Sequence, residues 1–197
     1  MDELSTKDHV IIDGFLREEL FLEIRDFLLQ RLSQFNQAGI GADSRQQLDR
    51  GIRGDFTHWL DRDRDAGLEA FWALMEECIH HFNRYCFLSI SDQEFHLAHY
   101  PSGGHYDRHL DQFENRNNRM ISVVIYLNVD WQNGDGGELE IFEKDGSGFL
   151  VEPLGARCVL FKSAVVPHAV HRANKSRYSL TGWLLHKPHG LGPILAL

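Results

Sequence analysis

The chain has 197 residues, of which 43% are hydrophobic and 25% charged, a composition that fits one ordinary globular domain with enough length to bury a core. Its formal net charge of −9 argues against a nucleic-acid or anionic-membrane binder, since those present a basic face. No apolar run reaches the roughly 20 residues of a membrane helix, and "MDELSTKDHVIID" lacks the basic and apolar regions of a signal peptide.

In chain order, "HVIIDGFL" (9–16) reads as a short strand and turn. "REELFLEIRDFLLQRLSQF" (17–35) carries Leu20, Phe21, Ile24, Phe27, Leu28 and Leu32 at the spacing of an amphipathic helix. "NQAGIGADSRQQLDRG" (36–51) is polar and glycine-containing and predicts a mobile loop. "AGLEAFWALMEECIHHFNRYCF" (66–87) gives a second helix, with His80 and His81 facing solvent. Cys78, Cys86 and Cys158, odd in number and widely spaced, read as reduced thiols of a cytoplasmic protein. From about residue 93 the segments become short and rich in β-branched and aromatic residues, broken by "PSGG", "NGDGG", "KDGSG" and "PLG". The expected fold is α+β, a double-stranded β-helix (jelly-roll) core with two N-terminal helices packed on its outside, with 1–197 forming a single domain.

The chemistry gathers in the second half. "SGGHYDRHLDQF" (102–113) contains His-x-Asp twice, His105–Asp107 and His109–Asp111. Residues i and i+2 on a strand share a face about 6.6 Å apart, so either pair can grip one cation. His168 or His171, in "PHAVHRA", can supply a third ligand. Two histidines and one carboxylate form the facial arrangement that holds Fe(II) and leaves positions open. In "RYSLTGWLL" (177–185), alternation puts Arg177, Ser179, Thr181 and Trp183 on one face and Tyr178, Leu180 and Leu184 on the other. If the first face is interior, a guanidinium is buried without an acid in its own strand, and a dicarboxylate cosubstrate would satisfy it. The competing reading is an exposed edge strand with Arg177 in water.

Several stretches together resemble the 2-oxoglutarate- and Fe(II)-dependent dioxygenases, and within them the oxygen-sensing-type prolyl hydroxylases and their bacterial relatives. They are "IRGDFTHWL" (52–60), "YPSGGHYDRHLD" (100–111), "NRMISVVIYLNVDW" (118–131), "GGELEIF" (136–142) and "PHAVHRANKSRYSLTGW" (167–183). The resemblance implies that His109, Asp111 and His168 bind iron and that Arg177, nine positions after His168, binds the distal carboxylate of 2-oxoglutarate. It implies that Tyr126 donates to the same carboxylate, that Tyr100 sits near the iron end of the cosubstrate, and that Thr181 and Trp183 line the pocket. Asp55 and Arg119 match a pair shaping the substrate entrance, with Arg53 and Trp59 in the same motif. His105 and Asp107 then become rim residues. Residues 1–92 would be helical support and entrance, and 93–186 the dioxygenase core.

The implied activity is hydroxylation of a prolyl residue in a protein or peptide, with 2-oxoglutarate converted to succinate and CO2. Fe(II), 2-oxoglutarate and O2 are the implied cofactors, with ascorbate in support. The alternatives are the same chemistry on a free amino acid or other small molecule, and a non-catalytic jelly-roll metal- or ligand-binding module. Two departures from the animal enzymes stand out. By that resemblance the loop between Tyr100 and His109 looks one residue shorter, and the short tail "LLHKPHGLGPILAL" is not expected to form a C-terminal helix like theirs.

Overall fold

The computed structural model describes residues 2–39, 51–112 and 118–186. Helix α1 (Asp2–Lys7) precedes strand β1 (His9–Ile12). This helix has six residues, too few for a periodic pattern, and its one buried apolar anchor is Leu4. Helix α2 (Glu18–Gln30) is shorter than its apolar spacing suggests. Arg31 leaves helical geometry at φ −109°, ψ 5°, and the chain tightens into a 3-10 turn at Leu32–Gln34. Glu18 and Glu19 sit in the first turn of α2, where negative charge complements the helix dipole. Helix α3 (Glu69–Cys86) ends with Phe87 in the left-handed region.

The remaining strands are β2 (Asn36–Gln37), β3 (Phe56–Trp59), β4 (Asp92–Tyr100), β5 (Tyr106–His109), β6 (Arg119–Tyr126), β7 (Leu139–Phe142), β8 (Gly148–Val151), β9 (Cys158–Lys162), β10 (His168–Val170) and β11 (Arg177–Leu185). They form a seven-stranded sheet in the order β1-β9-β6-β11-β4-β3-β2 and a four-stranded sheet in the order β5-β10-β7-β8. From β4 onward the chain passes between them: β4, β6, β9 and β11 belong to the large sheet, while β5, the β7–β8 hairpin and β10 belong to the small one. That alternation is the double-stranded β-helix. The entrance motif at 52–60 contributes β3, paired to β4 with Trp59 opposite His96. Most of the expected loop, residues 40–50, and the tail beyond His186 lie outside the described residues.

Alternation along each large-sheet strand gives its two faces different work. Phe95 and Leu97 on β4, Ile121, Val123 and Ile125 on β6, and Leu180 and Leu184 on β11 share one core with Leu20, Ile24 and Leu28 of α2 and Phe71 and Met75 of α3. The helices therefore cover the outer face, and each fully buried Leu, Ile or Phe there contributes roughly 1.5–3 kcal/mol. The opposite parity, including Ala98, Tyr100, Val124 and Tyr126, faces the small sheet and packs with Leu139, Ile141 and Val170. The inward parity of β4, β6 and β11 also carries His96, Ser122, Arg177, Ser179, Thr181 and Trp183, a polar set in an otherwise apolar sheet.

Gly182 is required by this packing. It pairs directly with Phe95 in the β11–β4 register, and a Cβ there would overlap the Phe95 ring and the Glu94 carbonyl oxygen. Gly182→Ala is expected to destabilise the protein by roughly 1–3 kcal/mol through overpacking, read as a lower urea midpoint at unchanged m-value.

Candidate active site

The interior between the sheets opens into a cavity of about 590 Å³, a size that suits a small ligand plus part of a larger one. Its metal-ligating residues depend on an irregularity in β5. His168 of β10 pairs with His109, but Val170 pairs with Tyr106, so β5 carries one extra residue between the two pairings. This β-bulge breaks the parity that a regular strand would impose. Tyr106 and His109, three apart, both line the cavity, and their rings stack at 3.6 Å between centroids and 18° between planes. The Asp107 side chain is turned out, 59% exposed, and lies 3.6 Å from His105 Nε2. Residues 105, 107, 109 and 111 therefore do not share a face as an unbroken strand would require. Asp111 lies beyond the end of β5, in a bend, and is buried.

Nε2 of His109 lies 3.6 Å from Asp111 Oδ1, and Nε2 of His168 lies 3.7 Å from Asp111 Oδ2. One ligand atom from each of the three falls within 4.8 Å of the others, so they can hold one metal ion. The tautomers suit that use. Nδ1 of His109 is 2.8 Å from the Asp107 carbonyl, and Nδ1 of His168 is 3.2 Å from the Val166 carbonyl. A carbonyl only accepts, so each Nδ1 carries the hydrogen and each Nε2 presents a lone pair. Burial, reinforced by His109, lowers the pKa of His168 to about 4. Burial alone would raise that of Asp111, but His168, His109 and the Ser122 hydroxyl together hold it far below the carboxylate range. A neutral imidazole beside an ionised carboxylate is the ligand form that a divalent metal needs. Ser122 donates to Asp111 Oδ2 at 2.6 Å and lies 2.9 Å from the Ser163 hydroxyl, with both serines fully buried. His171 points elsewhere, pairing with Glu140 at 2.7 Å on a half-exposed surface.

At the other end of β11, the Arg177 guanidinium is 3% exposed, which decides between the interior and edge readings. Its Nε donates to the Gly137 carbonyl at 2.8 Å and one terminal nitrogen to Ser179 at 3.2 Å. It lies 4.9 Å from the Tyr100 ring centroid and 5.0 Å from that of Tyr126. Among the described residues no carboxylate pairs with it. Gly137, at φ +78°, brings its backbone against the arginine stem, where a Cβ would stand 2.8 Å from Arg177 Cδ. The Tyr126 hydroxyl is buried with no hydrogen-bond partner among the described residues. Burial raises its pKa to about 12, so it is a neutral donor at ordinary pH. Burial also pushes Tyr100 up.

Thr181 and Trp183 line the same cavity and continue toward its mouth. There Trp59, His96 and Trp183 form an aromatic wall, with centroids 4.8–6.0 Å apart. The entrance residues pair differently from the expected Asp55–Arg119 match. Asp55, fully buried, accepts from Arg53 at 2.6 and 3.0 Å. Arg119, also buried, donates to Glu94 at 2.9 and 2.7 Å and lies 3.4 Å over the Trp183 ring. Sequence proximity and strand neighbours explain this: Arg53 is two residues from Asp55, and Glu94 is the β11-register partner of Trp183. His105 is a rim residue whose Nε2 is 3.0 Å from the Gly51 carbonyl.

Sequence reasoning overlooked Tyr106, His96 and Ser122. His96 and Ser122 were readable, because β4 alternates Glu94, His96, Ala98, Tyr100 inward and Ser122 interrupts the apolar run of β6. Tyr106 was not, since its inward aim depends on the bulge.

Residues 95–185 match the 2OG-Fe(II) oxygenase superfamily. A crystal structure of a Pseudomonas putida prolyl-4-hydroxylase is 35% identical and superposes with a TM-score of 0.85 over 94% of this chain and 96% of that one. The chain belongs to the prolyl hydroxylases of the 2OG-Fe(II) oxygenase superfamily. Another member, a Trichoplax adhaerens prolyl hydroxylase in complex with a hypoxia inducible factor oxygen degradation domain peptide fragment, is 27% identical with a TM-score of 0.84, covering 94% of this chain and 86% of that one. The human prolyl hydroxylase EGLN3 is 30% identical over 189 residues, 87% of this chain and 76% of that protein. Rat Egl nine homolog 1 is 29% identical, but this chain spans only 54% of its length.

His96 gives the site a measurable pH signature. Its Nδ1 is buried with no hydrogen-bond partner among the described residues. Burial, then the Arg53 charge, lowers its pKa to about 3 from 6.5. Between those values the unfolded chain binds a proton that the folded chain does not, so stability falls as pH drops. The slope is at most about 1.4 kcal/mol per pH unit. His96→Phe is expected to remove that component. Unfolding free energies measured between about pH 7 and about pH 5 should fall less steeply for the variant than for the parent.

Proposed function

We propose that this protein is an Fe(II)- and 2-oxoglutarate-dependent dioxygenase that hydroxylates a prolyl residue within a protein or peptide. The observation that carries the reading is the Arg177 guanidinium, buried with no carboxylate partner among the described residues in the cavity that holds His109, Asp111 and His168. A buried cation of this kind asks for an anionic ligand. A dicarboxylate that reaches from the triad to Arg177 meets that need, and the same cavity contains both ends.

In this reading His109, Asp111 and His168 hold Fe(II) through two Nε2 lone pairs and a carboxylate oxygen. Arg177 binds the distal carboxylate of 2-oxoglutarate, and the Tyr126 hydroxyl donates its unpartnered hydrogen to the same group. Tyr100 and Thr181 line the stretch between, and Trp183 closes the mouth. Bound Fe(II), 2-oxoglutarate and O2 supply oxidative decarboxylation to succinate and CO2 and the oxidising power that hydroxylates a C–H bond. The protein binds and orients the reactants and excludes water. Arg53, Asp55, Arg119 and Trp59 shape the entrance, with each arginine fixed by its own acid. The resemblance to prolyl hydroxylases favours a prolyl substrate, and a structural relative holds a peptide fragment. Residues 1–92 act as support and entrance to the 93–186 core. Ascorbate support and a cytoplasmic location belong to the same proposal. The free cysteines suit a reducing compartment, and no helix of the described residues is long and apolar enough to cross a membrane.

The test is incubation with Fe(II), 2-oxoglutarate, proline-containing peptides and a proteome extract, followed by mass spectrometry. A gain of one oxygen on proline residues is expected. Turnover of 2-oxoglutarate with oxygen added only to free amino acids would replace the prolyl assignment. Two variants check the site: His109→Ala should abolish iron binding, and His105→Ala should leave it intact. The reverse outcome would move the metal site to the first His-x-Asp pair.

A further inference from the structure

We infer that Ser122 is a positioning residue that restricts Asp111 to a single metal-binding oxygen, and so keeps a coordination position open for 2-oxoglutarate. The inference rests on the triad being an Fe(II) site. Ser122 is the one hydroxyl between Ile121 and Val123 on β6, pointed inward with Val124 and Tyr126, and has no exposure to solvent. Its hydroxyl lies 2.6 Å from Asp111 Oδ2 and 2.9 Å from Ser163. The direction of this chain follows from chemistry. An ionised carboxylate only accepts, so the Ser122 hydrogen goes to Asp111, and Ser163 must donate its own hydrogen to Ser122. The result is a one-way relay, Ser163 to Ser122 to Asp111, in which each bond polarises the next.

Asp111 has one oxygen, Oδ1, facing His109, and the other, Oδ2, facing His168. With nothing behind it, a carboxylate in that position is free to chelate a metal through both oxygens. The Ser122 bond engages Oδ2 and lowers its donor strength, leaving Oδ1 as the ligand. Two histidines and one carboxylate oxygen occupy three sites of an octahedral ion, and a bidentate cosubstrate plus O2 needs the other three. A second Asp111 oxygen would take one of them. No other hydroxyl among the described residues lies within hydrogen-bond distance of this carboxylate.

The experiment is an anaerobic titration of the iron-loaded full chain with 2-oxoglutarate, following the metal-to-ligand charge-transfer absorbance. The variants are Ser122→Ala, Ser122→Thr and Ser163→Ala, and near-UV circular dichroism confirms that each is folded. At saturating Fe(II), Ser122→Ala is expected to need at least ~10-fold more 2-oxoglutarate, the size of effect that groups hydrogen-bonded to metal ligands commonly have, and to shift the band. Ser122→Thr, which keeps the hydroxyl, restores both, and Ser163→Ala moves both in the same direction by less. Should Ser122→Ala fail to fold, the Ser163→Ala shift and the Ser122→Thr match decide the matter. Unchanged affinity and band in folded Ser122→Ala would overturn the inference. So would complete loss of iron binding in that variant, which would make Ser122 essential to the metal and not to its open positions. Absence of the band in the unsubstituted protein would instead refute the Fe(II) reading beneath it.

Discussion

A guanidinium removed from water, with no carboxylate beside it among the described residues, is costly to bury, and the groups around Arg177 offset part of that cost. Moving such a charge into a protein interior costs several kcal/mol after relaxation, and the carbonyl and hydroxyl that Arg177 meets return only part of that. Gly137 lets the backbone approach closely enough for its carbonyl to accept from Nε. Tyr100 and Tyr126 place aromatic rings beside the charge. The remaining donors face a cavity. A site arranged in this way is incomplete without an anion, which is why the arginine, more than the metal triad, indicates what the cavity is for.

Alternation on antiparallel strands turns Arg177 into the cavity, whereas the triad also needs the bulge in β5 and the bend that holds Asp111. One parity of β4, β6 and β11 builds the core under α2 and α3, and the other parity faces the small sheet. Each residue of the inward parity is then available to the site at no expense to the outer core. The small sheet supplies His109 and His168, and the large sheet supplies Arg177 and the Ser122 hydroxyl that holds Asp111.

Strict alternation is also what made much of this legible in the sequence. The division of β11 into Arg177, Ser179, Thr181, Trp183 and Tyr178, Leu180, Leu184 follows from period two alone, and the structure bears it out: Leu180 and Leu184 join the helix-covered core, while Arg177, Thr181 and Trp183 line the cavity. Both long helices follow from their apolar spacing. The same rule misled at β5, because a bulge is one extra residue whose place is fixed by the facing strand β10 and has no mark in the local pattern. The choice between the two His-x-Asp pairs was thus undetermined locally. Both pairs place histidine and carboxylate 3.6 Å apart, and only the arrival of His168 from β10 distinguishes them. The entrance pairings were hidden for a similar reason, since Glu94 reaches Arg119 through the order of strands in the sheet. The strand at 56–59 has no strand signature in the sequence, because four residues bordered by charged loops carry little periodic signal.

The most direct measurement is the anaerobic titration of Fe(II)-loaded protein with 2-oxoglutarate, comparing the parent chain with Arg177→Ala. The parent is predicted to develop a saturable metal-to-ligand charge-transfer band. The arginine variant should still bind Fe(II) but need at least ~100-fold more 2-oxoglutarate, the consequence of losing two charge-assisted hydrogen bonds worth about 1.5–3 kcal/mol each. A folded, iron-loaded parent without the band, or an Arg177→Ala variant that titrates like the parent, would contradict the account.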